Sequence, residues 1–212
     1  MRADRPIRIE VWSDVQCVWC YIGDARWKKA LSDFPGAVEV IHRSFELQPG
    51  FPVEFDAREY LEASRGLGVD EQDRMFAAMQ QTAAADGLEY RPRDIRPTNS
   101  HLALELLHYA ETIGARAALS DRLYAAYFAE GRHVGIVDSL IELAADVGID
   151  AAAARQALES HEFAEAVDRD AAAAHARGAR GVPFVVIDDA YAIPGALGVD
   201  ELKKILAQVA NA

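Results

Sequence analysis

The sequence predicts an α/β protein in which a large all-helical insertion interrupts a four-stranded sheet. Two segments with the alternating, β-branched pattern of strands, residues 7–12 and 38–45, lie near the start of the chain. Two more, residues 182–187 and 191–193, lie near its end. The sequence between the two pairs has helical patterns and carries most of the negative charge. Because a two-stranded sheet with open edges is marginally stable, we expect the two pairs to form one sheet.

The first fifty residues predict a β–α–β unit. Ile7–Trp12 reads I-R-I-E-V-W, which is typical of a strand. The apolar residues of segment 18–34 recur at helical intervals, and Pro35 and Gly36 then end the helix. Segment 38–45 follows as the second strand.

The middle of the chain predicts seven helices separated by short polar or glycine breaks. After them the chain returns to strands and closes with a helix at residues 200–210, whose apolar residues recur at helical spacing. The seven helices are predicted at residues 58–66, 70–86, 99–114, 116–130, 136–147, 150–158 and 162–177.

The distribution of charge supports the same division. Of the 34 acidic and 22 basic residues, 22 acidic and 12 basic ones lie between residues 56 and 177, where there is no lysine. We therefore expect residues 1–55 and 179–212 to form one discontinuous domain and residues 56–178 a helical insertion domain. The net charge of −12 repels phosphate groups, which excludes generic binding to nucleic acid or to an anionic membrane surface.

The chain is expected to be cytoplasmic. Residues 1–12 lack the uninterrupted apolar stretch of a signal peptide, and no window reaches the roughly 18 consecutive apolar residues that a membrane span needs. The cytoplasm keeps ordinary thiols reduced, so a structural disulfide is not expected there.

The chemistry of the chain is predicted to lie at its two cysteines, Cys17 and Cys20. They are three residues apart, directly after the first strand and at the start of the first helix. Free N–H groups and the helix dipole stabilise a thiolate at such a position. Cys17 is therefore the predicted nucleophile, and Cys20, almost one turn later on the same face, is the predicted resolving thiol.

Three other interpretations of the two cysteines compete with this one. A disulfide across so small a ring constrains little chain entropy. A zinc site usually needs four ligands, and none of the six histidines lies in a paired ligand motif. Two incidental buried cysteines remain an open alternative. The order strand, C-x-x-C, helix favours redox chemistry that requires no metal and no organic cofactor.

A second feature is Gly181-Val182-Pro183 at the start of the third strand. Proline cannot donate to a sheet, so it prefers edges and special turns. Taken alone, the pattern favours an ordinary trans proline over a cis bond.

Four motifs together resemble the FrnE-like branch of the DsbA-like thioredoxin-fold oxidoreductases. They are S-D-V-Q-C-V-W-C-Y-I-G (13–23), P-T-N-S (97–100), A-Y-F-A-E-G (126–131) and R-G-V-P-F (180–184). The resemblance implies a thioredoxin-like mixed sheet and a thiol–disulfide oxidoreductase, with disulfide isomerase activity as a further option. It also implies that Pro183 is cis and packs against the C-x-x-C, leaving the Val182 backbone to pair with substrate.

Carried over to this sequence, the resemblance makes Cys17 an exposed nucleophile and assigns roles to its neighbours. Val18 and Trp19 are the pair that tunes the redox potential. Val18 stands where the branch usually has proline, which restores a backbone N–H near the thiolate, so we expect the redox potential to differ.

Aromatic side chains beside the cysteines are the remaining candidates for substrate binding. Trp12, Trp19 and Tyr21 are predicted to form an apolar docking surface, with a core position as the alternative for Trp12. Glu10 is a candidate proton acceptor for Cys20, although a solvent-facing position on the strand is the favoured interpretation.

Two other functions stay open. One is a glutathione-dependent isomerase similar to the 2-hydroxychromene-2-carboxylate isomerases, which typically carry serine at the nucleophile position. The other is a non-catalytic binding module. The expected partner of the favoured oxidoreductase is a disulfide-containing protein or a small thiol, glutathione among them.

Overall fold

The computed structural model describes residues 5–211 and has the predicted fold class, a four-stranded mixed sheet with a helical insertion. Residues 1–4 and Ala212 lie outside the described residues. The sequence assigned them to the ends of the discontinuous domain. Residues 1–4 also belong to the segment that lacks the apolar stretch of a signal peptide. In the described part of the chain, no helix is long and apolar enough to cross a membrane.

Strands and helices follow one another in the predicted order. They are β1 (Ile7–Ser13), α1 (Val18–Ser32), β2 (Val38–Ser44), α2 (Ala57–Arg65), α3 (Val69–Ala85), α4 (His101–Thr112), α5 (Arg116–Phe128), α6 (Val137–Asp146), α7 (Ala151–Glu159), α8 (Ala164–Ala176), β3 (Phe184–Ile187), β4 (Tyr191–Pro194) and α9 (Val199–Ala210).

The sheet joins strands from the two ends of the chain in the order β2-β1-β3-β4. β1 runs parallel to β2 and antiparallel to β3, with Trp12 opposite Phe184. Successive side chains of a strand point to opposite faces, so Ile7 and Ile9 share one face of β1 while Glu10 and Trp12 share the other. The residues that precede Cys17 therefore lie on a central strand.

Each face of the sheet has its own hydrophobic core. Ile9 and Val185 pack with Trp27 of α1 and Leu206 of α9 on one face. On the other face, Trp12 packs with apolar residues that include Phe45, Ala174 of α8 and Phe184. The cores hold β1, α1 and β3 in fixed relation, and these are the elements that carry the cysteines and the segment after Pro183.

The chain divides into two compact units. One comprises residues 1–47 and 168–212, and the other comprises residues 48–167. In the second unit, α4 packs against α5, α6 and α7 around buried side chains such as Leu106. The second unit holds 21 acidic and 10 basic residues, whereas the first holds 13 and 12, so the negative charge belongs almost entirely to the helical unit.

Two sequence-based expectations about the sheet are wrong. β3 begins at Phe184 rather than at residue 182, because Pro183 has no N–H to donate and the Val182 carbonyl accepts a hydrogen bond from Cys17 instead. Glu10 is 2% exposed rather than solvent-facing. Its carboxylate is buried because three guanidinium groups surround it.

Candidate active site

The loop after β1 places Cys17 at the N-terminus of α1. Cys17 is the N-cap residue, with φ −88° and ψ 110°, and its N–H donates to the Asp14 carbonyl at 3.2 Å. Its Sγ accepts a hydrogen bond from the Cys20 N–H at 3.3 Å. The same N–H also donates to the Cys17 carbonyl at 2.9 Å, so the sulfur lies beside a first-turn N–H at the positive end of the helix dipole, where a negative charge is stabilised.

The Cys17 sulfur also faces the segment before β3. Its Sγ donates to the Val182 carbonyl at 3.4 Å, and both thiols are free. Cys17 is only 6% exposed, which corrects the expectation of an exposed nucleophile. The Val182 carbonyl and the Cys20 N–H both contact its sulfur.

Cys20 is buried beneath Cys17. Burial raises the pKa of the Cys20 thiol well above its ordinary value. The hydrogen bond and the charge of Cys17 raise this pKa further, as does the carboxylate charge of Asp14, while a hydrogen bond with the Asp14 backbone lowers it. Burial therefore keeps the Cys20 thiol protonated over a wider pH range than a free cysteine.

Asp14 is a site residue that the sequence analysis missed. Its side chain is fully buried, and its two oxygens accept hydrogen bonds from the Gln16 N–H at 3.1 Å and the Leu47 N–H at 2.8 Å. These two hydrogen bonds fix the conformation of the loop that precedes Cys17 and connect this loop to the segment after β2. The local signal was an aspartate three residues before Cys17, since aspartate often accepts from the backbone two residues on.

The Val182–Pro183 peptide bond is cis, as the family resemblance implied. The Gly195 N–H donates to the Pro183 carbonyl at 2.8 Å. Gly23 of α1 packs against the Pro183 ring, since a Cβ at Gly23 would lie 3.4 Å from Pro183 Cγ and 3.5 Å from Ala196 Cβ. Pro183 is thus held between α1 and the end of β4, in the segment that contacts Cys17.

The aromatic residues near the cysteines occupy different environments. Trp19 is 39% exposed in the first turn of α1, and Val18 and Tyr21 are half-buried. Trp12 is fully buried, and its Nε1 donates to the Asp170 carbonyl at 2.8 Å. Trp12 therefore belongs to the core rather than to a docking surface, because β1 points it into the face that α8 covers.

Glu10 lies at the centre of an ion cluster on that same face. Its carboxylate pairs with Arg8 and Arg43 at 3.0 Å and with Arg177 at 3.2 Å. Its charge is therefore matched by neighbouring guanidinium groups, and Asp14 is the carboxylate whose charge acts on Cys20. The arginines come from β1, β2 and the end of α8, so no local sequence pattern shows the cluster.

Fold and site together define a thioredoxin-fold protein with a C-x-x-C at a helix N-terminus beside a cis-proline. The family model described as the DSBA-like thioredoxin domain matches residues 8–207. The chain belongs to this family of thiol oxidoreductases.

Two similar proteins cover almost all of the chain. A crystal structure of a probable DsbA oxidoreductase from Streptomyces coelicolor is 38% identical, with a TM-score of 0.91 over 97% of this chain and 90% of that chain. The uncharacterized protein YwbO from Bacillus subtilis (strain 168) is 29% identical over 207 residues, which are 95% of this chain and 96% of YwbO.

More distant structures share the fold. A 2-hydroxychromene-2-carboxylate isomerase is 19% identical, with a TM-score of 0.71 over 96% of both chains. The cytosolic disulfide reductase DsbM from Pseudomonas aeruginosa is 18% identical, with a TM-score of 0.68 over 97% of this chain and all of DsbM. At these identities the likeness extends to the fold alone.

Proposed function

We propose that this chain is a thiol–disulfide oxidoreductase that acts on a disulfide-containing protein or small thiol through the Cys17/Cys20 couple. The observation that carries the proposal is the position of the Cys17 sulfur. It accepts the Cys20 N–H at the start of α1 and lies 3.4 Å from the carbonyl of Val182, beside cis-Pro183.

The reaction takes place in two exchanges. The Cys17 thiolate attacks one sulfur of the substrate disulfide, so a Cys17–substrate S–S bond forms, the substrate S–S bond breaks and the released sulfur takes up a proton. Cys20 then loses its proton and attacks Cys17 Sγ, which breaks the mixed disulfide and releases the second substrate thiol. The dithiol is oxidised by two electrons and the substrate disulfide is reduced to two thiols; the oxidising direction is the reverse.

The environment of Cys20 supports its role in the second exchange. The hydrogen bond with Cys17 and the negative charge of Cys17 both raise the pKa of Cys20. Formation of the mixed disulfide removes the negative charge from Cys17, which favours loss of the Cys20 proton at the step that needs it.

We assign the neighbouring residues as follows. Val18 and the exposed Trp19 tune the redox potential, and the Val182 backbone, Pro183 and Tyr21 bind substrate.

We also place the chain in the FrnE-like branch, because of its four motifs, and in the cytoplasm. The location is supported by the likeness to DsbM, which is named as cytosolic, and cell fractionation tests it.

Replacement of the cysteines tests the function. Cys17→Ser is expected to abolish insulin reduction, because it removes the attacking sulfur. Cys20→Ser is expected to keep the first exchange and to accumulate a Cys17 mixed disulfide, which mass spectrometry detects and which identifies the physiological substrate. Full activity of Cys17→Ser would contradict the mechanism.

A glutathione-dependent isomerase is the second candidate. It is favoured by the shared fold of the 2-hydroxychromene-2-carboxylate isomerase and by the structure of DsbM with GSH. The presence of both Cys17 and Cys20, where these isomerases typically carry serine at the nucleophile position, favours the oxidoreductase. Insulin reduction without glutathione distinguishes the two functions, since the isomerase needs the glutathione thiol.

The rate of alkylation of Cys17 tests the remaining alternative. A Cys17 that reacts with iodoacetamide no faster than free cysteine would favour a non-catalytic binding module.

A further inference from the structure

A groove with a volume of about 350 Å³ opens beside the cis-proline. Residues 178–184 form its wall together with Pro194 and Gly195, and all of them belong to the same compact unit as Cys17. The volume lies within the range of ligand sites in proteins. Among the described residues that line the groove, Arg180 alone carries a charge.

The groove adjoins the reactive sulfur through Val182. This residue lines the groove, and its carbonyl oxygen lies 3.4 Å from Cys17 Sγ. Arg180 lies two residues before Val182 and lines the same groove. A substrate residue next to the half-cystine that enters this groove therefore meets the wall to which Arg180 belongs.

Arg180 differs from the arginine three residues before it. Arg177 pairs with Glu10 at 3.2 Å and with Asp189 at 2.6 Å, and its guanidinium lies 5.3 Å from the centre of the Trp12 ring. Arg180 is exposed and forms no ion pair with any residue between 5 and 211. Arg177 therefore stabilises the fold, whereas Arg180 presents an unmatched positive charge to the groove.

The compact unit that contains Arg180 is nearly neutral, so little negative charge within this unit competes with a substrate for the Arg180 guanidinium. Residues 1–47 and 168–212 together hold 13 acidic and 12 basic residues, whereas the strong excess of acid belongs to residues 48–167. Guanidinium groups bind carboxylates by two parallel hydrogen bonds, and they recognise this group better than an ammonium does.

We propose that Arg180 is a specificity-determining residue that selects disulfide substrates carrying a carboxylate close to the reacting sulfur. The inference rests on the proposed oxidoreductase function and names the substrate class of that site. The carboxylate comes either from an acidic residue beside a half-cystine in a polypeptide or from a small acidic thiol such as glutathione.

The test uses synthetic peptide disulfides that differ only in having Glu or Lys one residue after the half-cystine. The measured quantity is the second-order rate constant for their reduction by the reduced protein, followed at low and high salt. We expect a preference for the Glu peptide of about fivefold at low salt, since an exposed pair contributes about 1 kcal/mol. This preference should fall at high salt.

Arg180→Gln is expected to remove the preference and Arg180→Glu to reverse it. Lys204→Gln is the matched control, because Lys204 is an exposed cation of α9 in the same unit and does not line the groove. It should leave the preference unchanged. Glutathione disulfide and its ethyl ester provide the second arm, and a loss of rate on esterification that depends on Arg180 identifies the small thiol as a substrate.

Two outcomes overturn the proposal separately. If the protein reduces the peptides but Arg180→Gln keeps the Glu preference, or if the wild type shows no preference, Arg180 does not select the substrate and the oxidoreductase function still stands. If the wild type reduces none of the disulfides, the proposed function itself fails.

Discussion

Asp14 supports both the fold and the chemistry, and Asp14→Asn separates the two. Asparagine keeps the shape of the side chain but has one acceptor oxygen where aspartate has two. One of the two partly buried backbone N–H groups, of Gln16 or Leu47, then faces a donor, which costs about 1–3 kcal/mol. The other hydrogen bond loses its charge, so we expect a total loss in the free energy of unfolding of about 2–4 kcal/mol. For a chain of this size the melting temperature should fall by about 4–16 °C.

Asp14→Asn should also change the pH dependence of the resolving step, in a direction that the charge of Asp14 fixes. The negative charge of Asp14 raises the pKa of Cys20, so its removal should lower that pKa. The resolving step should then reach half its maximum rate at a lower pH. After reaction with Ellman's reagent, the second release of thionitrobenzoate reports this step, and a stopped-flow instrument follows it across a pH series.

Asp33→Asn is the matched control. Asp33 is an exposed aspartate at the other end of α1, paired with Lys203 at 2.6 Å on the surface. The control should change stability much less and leave the pH profile of the resolving step where it is. A profile of Asp14→Asn that is unchanged or displaced to higher pH, in a protein that is still folded, would refute the proposed effect of Asp14 on Cys20.

Three further changes test the structure. Glu10→Gln should lower the free energy of unfolding by about 1–3 kcal/mol in urea titrations, since it removes the buried carboxylate charge that Arg8, Arg43 and Arg177 share, while each arginine keeps one other carboxylate; Glu39→Gln on exposed β2 should change little, and equal losses would contradict the cluster. Gly135→Ala should cost about 2 kcal/mol or more, because its Cβ would lie 2.7 Å from the Asn99 carbonyl oxygen; an unchanged melting temperature would show that this packing is loose. Burial lowers the pKa of His133 below its ordinary 6.5, so the unfolded chain takes up the proton first and stability should decline as the pH falls below 6.5. His133→Gln should reduce that pH dependence, and parallel curves for the two proteins would refute it.

The sequence predicted those parts of the site that follow from local patterns of apolar residues and from the spacing of the cysteines. The alternation of Ile7–Trp12 and the helical spacing after Cys17 place the C-x-x-C at a strand–helix junction, and the structure has it there. The cis state of Pro183 could be expected only from the resemblance of whole motifs, because a single proline at a strand start does not indicate it.

The parts that the sequence did not predict depend on contacts between distant residues. Asp14 accepts from Leu47, 33 positions away, and Glu10 is buried because arginines from three elements meet it. Trp12 has the pattern of a strand residue whichever face it occupies, and only the packing of α8 made it part of the core.

The amino-acid sequence by itself determined the elements, their order and the position of the C-x-x-C at a strand–helix junction, because these follow from periodicity and from the spacing of two cysteines. The tertiary structure alone decided which carboxylate influences the Cys20 thiol, and that Arg177 is paired within the fold while Arg180 lines a groove. Burial and charge pairing depend on distances in space, and residues far apart in the chain set those distances when the two ends join in one sheet.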